Sequence, residues 1–470
     1  MGPAIKESVA FLIPASLVAL WYALQTAEFF FYKDDLVNLY WAYRSGWESL
    51  WMPLFERGWA PFYRLEVLLL ARDGGPSFEL ARLLMVAWLF LLGWQLFLFW
   101  TERGLGAVET VLLLICALSF PLFFATLKWL ASALLVLPML CAGVWALRAV
   151  LSDREKPTRF WRLVAACGFT ALFALPEALL LGASLLPLLW LSPNGSPNGS
   201  PNGSAGLGRR LHGPVIATLL LLTGLVLASY QFSWDVAEPA ALGEGRNEPL
   251  LLTAVFVKSL LKYSPAGMWS SHVFYLESGL WLDLAGLLWL GALVWFSLVS
   301  GRTARMLCLA ALLYSVGNFL LILLFRVDFF GWVIIPEHRY WLWPEWLFFL
   351  VFLHLITLWW RERNKPLLRV GLVLIVGMNL YAAREYRDRL YPGHDFDAVR
   401  SVLVEAKEWA AKDSVDWEWC REALPKTVAV AESRYNHKAL LAPYYNPRFR
   451  RSPAPSANPE PPPGDGCAIR

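Results

Sequence analysis

The sequence predicts an all-α polytopic membrane protein. It should carry about eleven transmembrane helices, interfacial helices in the outer loops and a small α/β or irregular C-terminal appendage. Three observations predict this. The 470 residues are 57% hydrophobic and only 17% charged, a balance that soluble domains rarely show. Several apolar runs reach the roughly twenty residues that a helix needs to cross a bilayer. Lys and Arg recur in alternate short loops, as a fixed orientation in a membrane demands. The formal net charge of +4 is less informative than that distribution.

Spans are expected at about 8–31, 78–100, 107–124, 128–150, 161–175, 177–191, 213–231, 278–300, 306–326, 342–360 and 366–383. The first is read as a retained helix, because little precedes it and no small-residue cleavage site follows. Residues 161–191 are too long for one comfortable span, and Pro176 divides them into a hairpin. One long kinked helix is the alternative and would invert the parity downstream. Charge supports the split. With the N-terminus inside, the inner loops hold Arg103; Arg154, Lys156, Arg159 and Arg162; Arg209 and Arg210; Arg302 and Arg305; and Arg361, Arg363, Lys365 and Arg369.

This topology makes 1–383 a transmembrane domain. Its first outer loop is 32–77, its cytoplasmic linker 192–212 and its second long outer loop 232–277. The linker contains Ser-Pro-Asn-Gly repeats. Asn194, Asn198 and Asn202 match the glycosylation pattern, but inside the cell they are incidental to a flexible tether. Leu250 to Leu261 reads as a surface or re-entrant helix, with a spanning helix as the alternative. Residues 384–451 form the extracytoplasmic appendage, with an amphipathic helix over 395–412 and a strand over 427–431. Residues 452–470 form a Pro-rich disordered tail. No CxxC motif occurs. Cys116, Cys141, Cys167 and Cys308 are packing residues, whereas Cys420 and Cys467 can pair only if the tail lies outside.

Asp34 and Asp35 follow the first span directly. Leu36, Leu39, Tyr40, Tyr43, Trp47, Leu50 and Trp51 then recur at helical spacing, as in a helix lying on the membrane surface. One Asp there is ordinarily an N-cap. Two adjacent carboxylates can also deprotonate a hydroxyl or hold a divalent cation, Mg or Mn, with Asp35 as the metal ligand. The same predicted side holds Arg64, Lys128, Glu177, Lys258, Lys262, and His338-Arg339-Tyr340. Each has a plainer reading: snorkelling for Arg64 and Lys128, capping for Glu177, an aromatic belt with its anchor for Arg339 and Tyr340. Together, acids and cations on one face suit a substrate that bears phosphate.

These pieces resemble the multi-spanning glycosyltransferases of the GT-C class, particularly the O-mannosyltransferase-like proteins. The resemblance rests on five short motifs in order. They are Asp34-Asp35; Tyr63-Arg64 followed by Gly75-Pro76; Phe120-Pro121 to Trp129; Leu175-Pro176-Glu177-Ala178; and Glu337-His338-Arg339-Tyr340. Leu65 stands where that class has Pro, and Pro176 where it has Lys. The resemblance implies an inverting transfer of a sugar from a polyprenyl-phosphate donor to an acceptor hydroxyl on a protein, glycan or lipid. Asp34 or Asp35 would be the base. Arg64, Arg339 and Lys258 would stabilise the departing lipid phosphate. Lys128, Glu177, His338 and Tyr340 would complete the substrate site. The implied place is the bacterial inner (plasma) membrane, N-terminus cytoplasmic and C-terminus extracytoplasmic, with no nucleic-acid partner. The competing readings are a transporter or flippase for a lipid-linked or anionic substrate, and a lipid-linked glycan ligase or polymerase.

Overall fold

The structure is a computed structural model that describes residues 11, 13, 15–22, 38, 42, 46–51, 60–70, 78–127, 130–151, 156–191, 249–269, 280–325, 338–360 and 365–390. Asp34, Asp35, Lys128, the linker 192–212, the expected span 213–231 and the chain beyond Leu390 lie outside these residues. Among the described residues the fold is all-helical. After a helical segment over 15–22 and a single turn at Gly46–Trp51 come α1 (Pro61–Leu70), α2 (Phe78–Thr101), α3 (Ala107–Leu118), α4 (Pro121–Leu127), α5 (Leu130–Leu151), α6 (Lys156–Ala171) and α7 (Leu175–Leu191). The later elements are α8 (Pro249–Tyr263), α9 (Pro265–Trp269), α10 (Leu280–Val299), α11 (Arg302–Phe325), α12 (His338–Trp360) and α13 (Lys365–Leu390). Five of these, α2, α5, α11, α12 and α13, are long and apolar enough to cross a membrane.

Local chemistry sets many of the boundaries. Pro61, Pro121, Pro249 and Pro265 each open a helix, where the missing N–H costs nothing and the fixed φ is already helical. Gly104, at φ 69°, turns the chain after α2, and Gly301, at φ 111°, turns it between α10 and α11. The expected hairpin at Pro176 is present as α6, a turn at 172–174, and α7 with Pro176 in its first turn.

One expectation needs correction. The span expected over 107–124 is broken. α3 stops at Leu118, and α4 starts afresh at Pro121. The carbonyls left at the end of α3 are taken by side chains from elsewhere. Trp346 Nε1 donates to Ala117 (2.9 Å), Tyr22 Oη to Leu118 (2.9 Å), and Asn379 Nδ2 to Cys116 (3.1 Å). A helix end buried in apolar surroundings needs such partners, so α12, the N-terminal segment and α13 together fix where α3 ends. α13 runs through Arg384 and Glu385 to Leu390 without a break, because these long polar residues are good helix formers.

Short turns make neighbouring helices antiparallel, which defines two ends of the bundle. The C-terminal ends of α2, α5, α10 and α12 share one end. There Arg148 pairs with Glu102 (2.6 Å), and Arg369 pairs with Glu109 (2.9 Å). α1 and the starts of α7 and α12 lie toward the other. α12 is the central post, with 83% of its spanning stretch buried, whereas α13 has only 33% buried. α13 instead exposes Leu367, Val370, Leu374, Met378 and Tyr381 along one stripe, as a helix facing lipid would.

Candidate functional site

α1 folds inward. Phe62 N–H donates to Leu172 O (3.0 Å), tying α1 to the turn between α6 and α7. By a rise of about 1.5 Å per residue, Trp88 stands roughly 20 Å from the α2–α3 turn, and the short α6 lifts Leu172 to about the same height. The α6–α7 turn is therefore recessed into the bundle, and α1 reaches down to meet it. Phe62 and Trp88 both pack edge-on against Phe173, with ring centroids 5.7 Å apart in each case. α1 is thus drawn into the bundle at this point. The reason is that α6 and α7 leave a hollow that aromatic side chains fill.

Arg64 is buried, 3% exposed. Its Nη1 donates to Asn38 Oδ1 (3.1 Å), and Asn38 Nδ2 donates to Tyr63 Oη (2.9 Å). Asn38 stands four positions after Asp34 and three after Asp35, so this network connects Arg64 to the segment that carries the acid pair. Burial lowers the guanidinium's pKa from its ordinary value, and Tyr63 partly opposes that shift. Two residues on, Glu66 accepts a hydrogen bond from Trp88 Nε1 (2.6 Å). Burial pushes its carboxyl up to about 7, and the Trp88 bond only partly offsets this.

Glu177 opens α7 and lines a cavity of about 50 Å³ between α5, α6, α7, α11 and α12. Ser132, Thr170, Tyr314, Asn318 and Trp343 share that wall. Glu177 Oε2 and Ser132 Oγ are buried without hydrogen-bond partners among the described residues. The space admits a few waters or one small polar group.

Lys258 and Lys262 lie one turn apart on α8. Burial, then the neighbouring Lys258, pulls the Lys262 ammonium down to about 8. α8 packs on the start of α12 through Phe256 and Trp341 (5.1 Å) and on α11 through Phe256 and Phe319 (4.2 Å). The helical residues His338, Arg339 and Tyr340 immediately precede Trp341. Thus Arg64, Glu177, the α8 lysines and the 338–340 turn gather toward the same end. Asp34, Asp35 and Lys128 lie outside the described residues. Among the described residues no group of three metal-ligating side chains occurs.

Sequence reasoning missed Glu66, Glu345 and His354. Glu345 is 1% exposed, and neither carboxyl oxygen has a partner among the described residues. A signal was present, since each is an ionisable residue inside an apolar run. Comparisons with protein-family models, curated proteins and solved structures return no match for this chain.

Proposed function

We propose that the protein is a membrane glycosyltransferase that moves a sugar from a polyprenyl-phosphate donor to an acceptor hydroxyl. The observation that supports this reading most is the buried chain Arg64–Asn38–Tyr63, in which a desolvated guanidinium is held on Asn38, four residues after Asp34 and three after Asp35 in the sequence. A guanidinium stripped of water and fixed in place is well suited to meet a phosphate whose charge grows as the sugar departs. In the proposed reaction, Asp34 or Asp35 takes the proton of the acceptor hydroxyl. The hydroxyl oxygen bonds to the anomeric carbon, and the bond to the lipid phosphate breaks with its electrons going to that phosphate. Arg64, Arg339, Lys258 and Lys128 face the resulting anion, while Glu177, His338 and Tyr340 border the sugar. A divalent cation on Asp35 belongs to the same proposal.

The proposed orientation has about eleven spans, in the bacterial inner (plasma) membrane, with the α1 end outside. In support, the opposite end carries Arg103 in the α2–α3 turn, Arg305 in the first turn of α11, and Lys365 and Arg369 at the start of α13.

The test is transfer from radiolabelled polyprenyl-phosphate sugars in membranes containing wild-type protein, D34N, D35N and the double variant. Loss of transfer by roughly a hundredfold or more in one single variant and in the double variant is expected for a general base. A fully active double variant overturns the reading. A second reading, transport of an anionic substrate, is favoured by Glu345, a buried carboxyl inside the central helix. Accumulation of a labelled anion in proteoliposomes without sugar transfer selects that reading.

A further inference from the structure

The opposite end of the bundle holds a larger cavity, of about 270 Å³, which the transferase reading does not use. Arg103 and Leu105 of the α2–α3 turn, Ser300, Thr303 and Ala304 of the α10–α11 turn, and His354, Thr357 and Leu358 of α12 form its wall. Its polar character is built rather than incidental. His354 is 6% exposed and stacks on Trp100 (centroids 6.3 Å apart, planes 23° apart), yet its Nε2 has no partner among the described residues. Arg103 is held over the Phe99 ring at 3.7 Å and donates to Phe99 O. Glu102 of the same turn accepts from Arg148, with bonds of 2.6 and 3.1 Å, and its charge also acts on Arg103. Thr303 is the second residue of the 24-residue α11, so the first N–H groups of a long helix and its positive dipole end border the same space.

We infer that this cavity binds a phosphate oxyanion. Arg103 supplies the charge, the α11 N-terminus and Thr303 supply donors, and His354 Nε2 is a further polar contact. The surroundings favour a lipid headgroup as its source. Trp295, Leu298, Val299, Leu358 and Trp359 are exposed around this end, and Trp359 Nε1 donates to Ser300 Oγ (3.1 Å). Apolar side chains there give way to polar turns within about one helical turn, as at headgroup depth.

The test uses the full chain purified in a non-ionic detergent. Phosphatidylglycerol, phosphatidylcholine and inorganic phosphate are added separately, with bound lipid counted by native mass spectrometry and stability followed by thermal melting. One phosphatidylglycerol retained per chain, with a raised melting temperature, is expected. Affinity should fall at least tenfold in R103Q and stay unchanged in R305Q, which removes a charge from the same end but not from the cavity wall. H354F keeps the stack on Trp100, removes the nitrogen and should weaken retention severalfold, so the proposal stays testable if R103Q does not fold. Stabilisation by inorganic phosphate alone, lost in the same variants, assigns the site to a free phosphate ester and still supports it. No binding of either, or equal binding by R103Q and H354F, overturns it.

Discussion

Glu66 shows what a single buried carboxyl does to this protein. Its pKa in the fold, about 7, lies above the ordinary carboxyl value of 4.5. The native state therefore holds the proton more tightly than the unfolded chain does. Stability is greatest below the ordinary value, falls as pH rises from there to about 7, and levels off above it. The whole effect is on the order of 3 kcal/mol at 1.36 kcal/mol per unit. Glu66→Gln keeps an oxygen to accept from Trp88 but cannot ionise. Melting curves of the purified protein between pH 5 and pH 8 should flatten in this variant, and an unchanged pH dependence would exclude Glu66 as its source. The residue was legible in principle, as a lone acid between Leu65 and Val67. Its depth was not, because only the recessed α6–α7 turn draws α1 inward.

At the scale of elements, the Trp343 ring of α12 lies against Gly143 of α5. A Cβ at position 143 would run into the Trp343 ring, a rigid group that lines the Glu177 cavity. Gly143→Ala therefore has to push the ring or the helix aside. A loss of about 1–3 kcal/mol is expected, the usual cost of overpacking a filled core. Thermal melting beside Gly168→Ala, whose added Cβ meets nothing within 4 Å, separates the packing effect from helix propensity. A melting temperature for Gly143→Ala equal to that of Gly168→Ala would show that the two helices have room to part. The apolar period makes both helices visible in the sequence. Their contact is not visible there, since any glycine on any face has the same symbol.

Across the whole molecule, the antiparallel order sorts the polar groups into two populations. Arg64, Glu177 and the α8 lysines belong to one end, and the Arg103–His354 cavity belongs to the other. If the bundle crosses the membrane as proposed, the ends meet different compartments. Trp47 is 70% exposed, and Lys365 is exposed at the start of α13. Cysteines introduced separately at these positions should react with an impermeant maleimide from opposite sides of sealed vesicles. Labelling of both from one side would refute the two-ended arrangement in the membrane.

The sequence by itself determined the helical class and the positions of the long apolar helices, because hydrophobic length and proline placement act locally along the chain. It also predicted a hairpin near Pro176, and the chain turns just before it, at 172–174. Only the tertiary structure decided that α3 ends at Leu118, since the side chains that complete its last carbonyls come from Tyr22, Trp346 and Asn379. It likewise decided that Arg64 is buried on Asn38 and that Arg103 and His354 share a cavity. Those facts depend on which helix faces meet. Residues distant in the chain determine that, each finding its partner only once the bundle has closed.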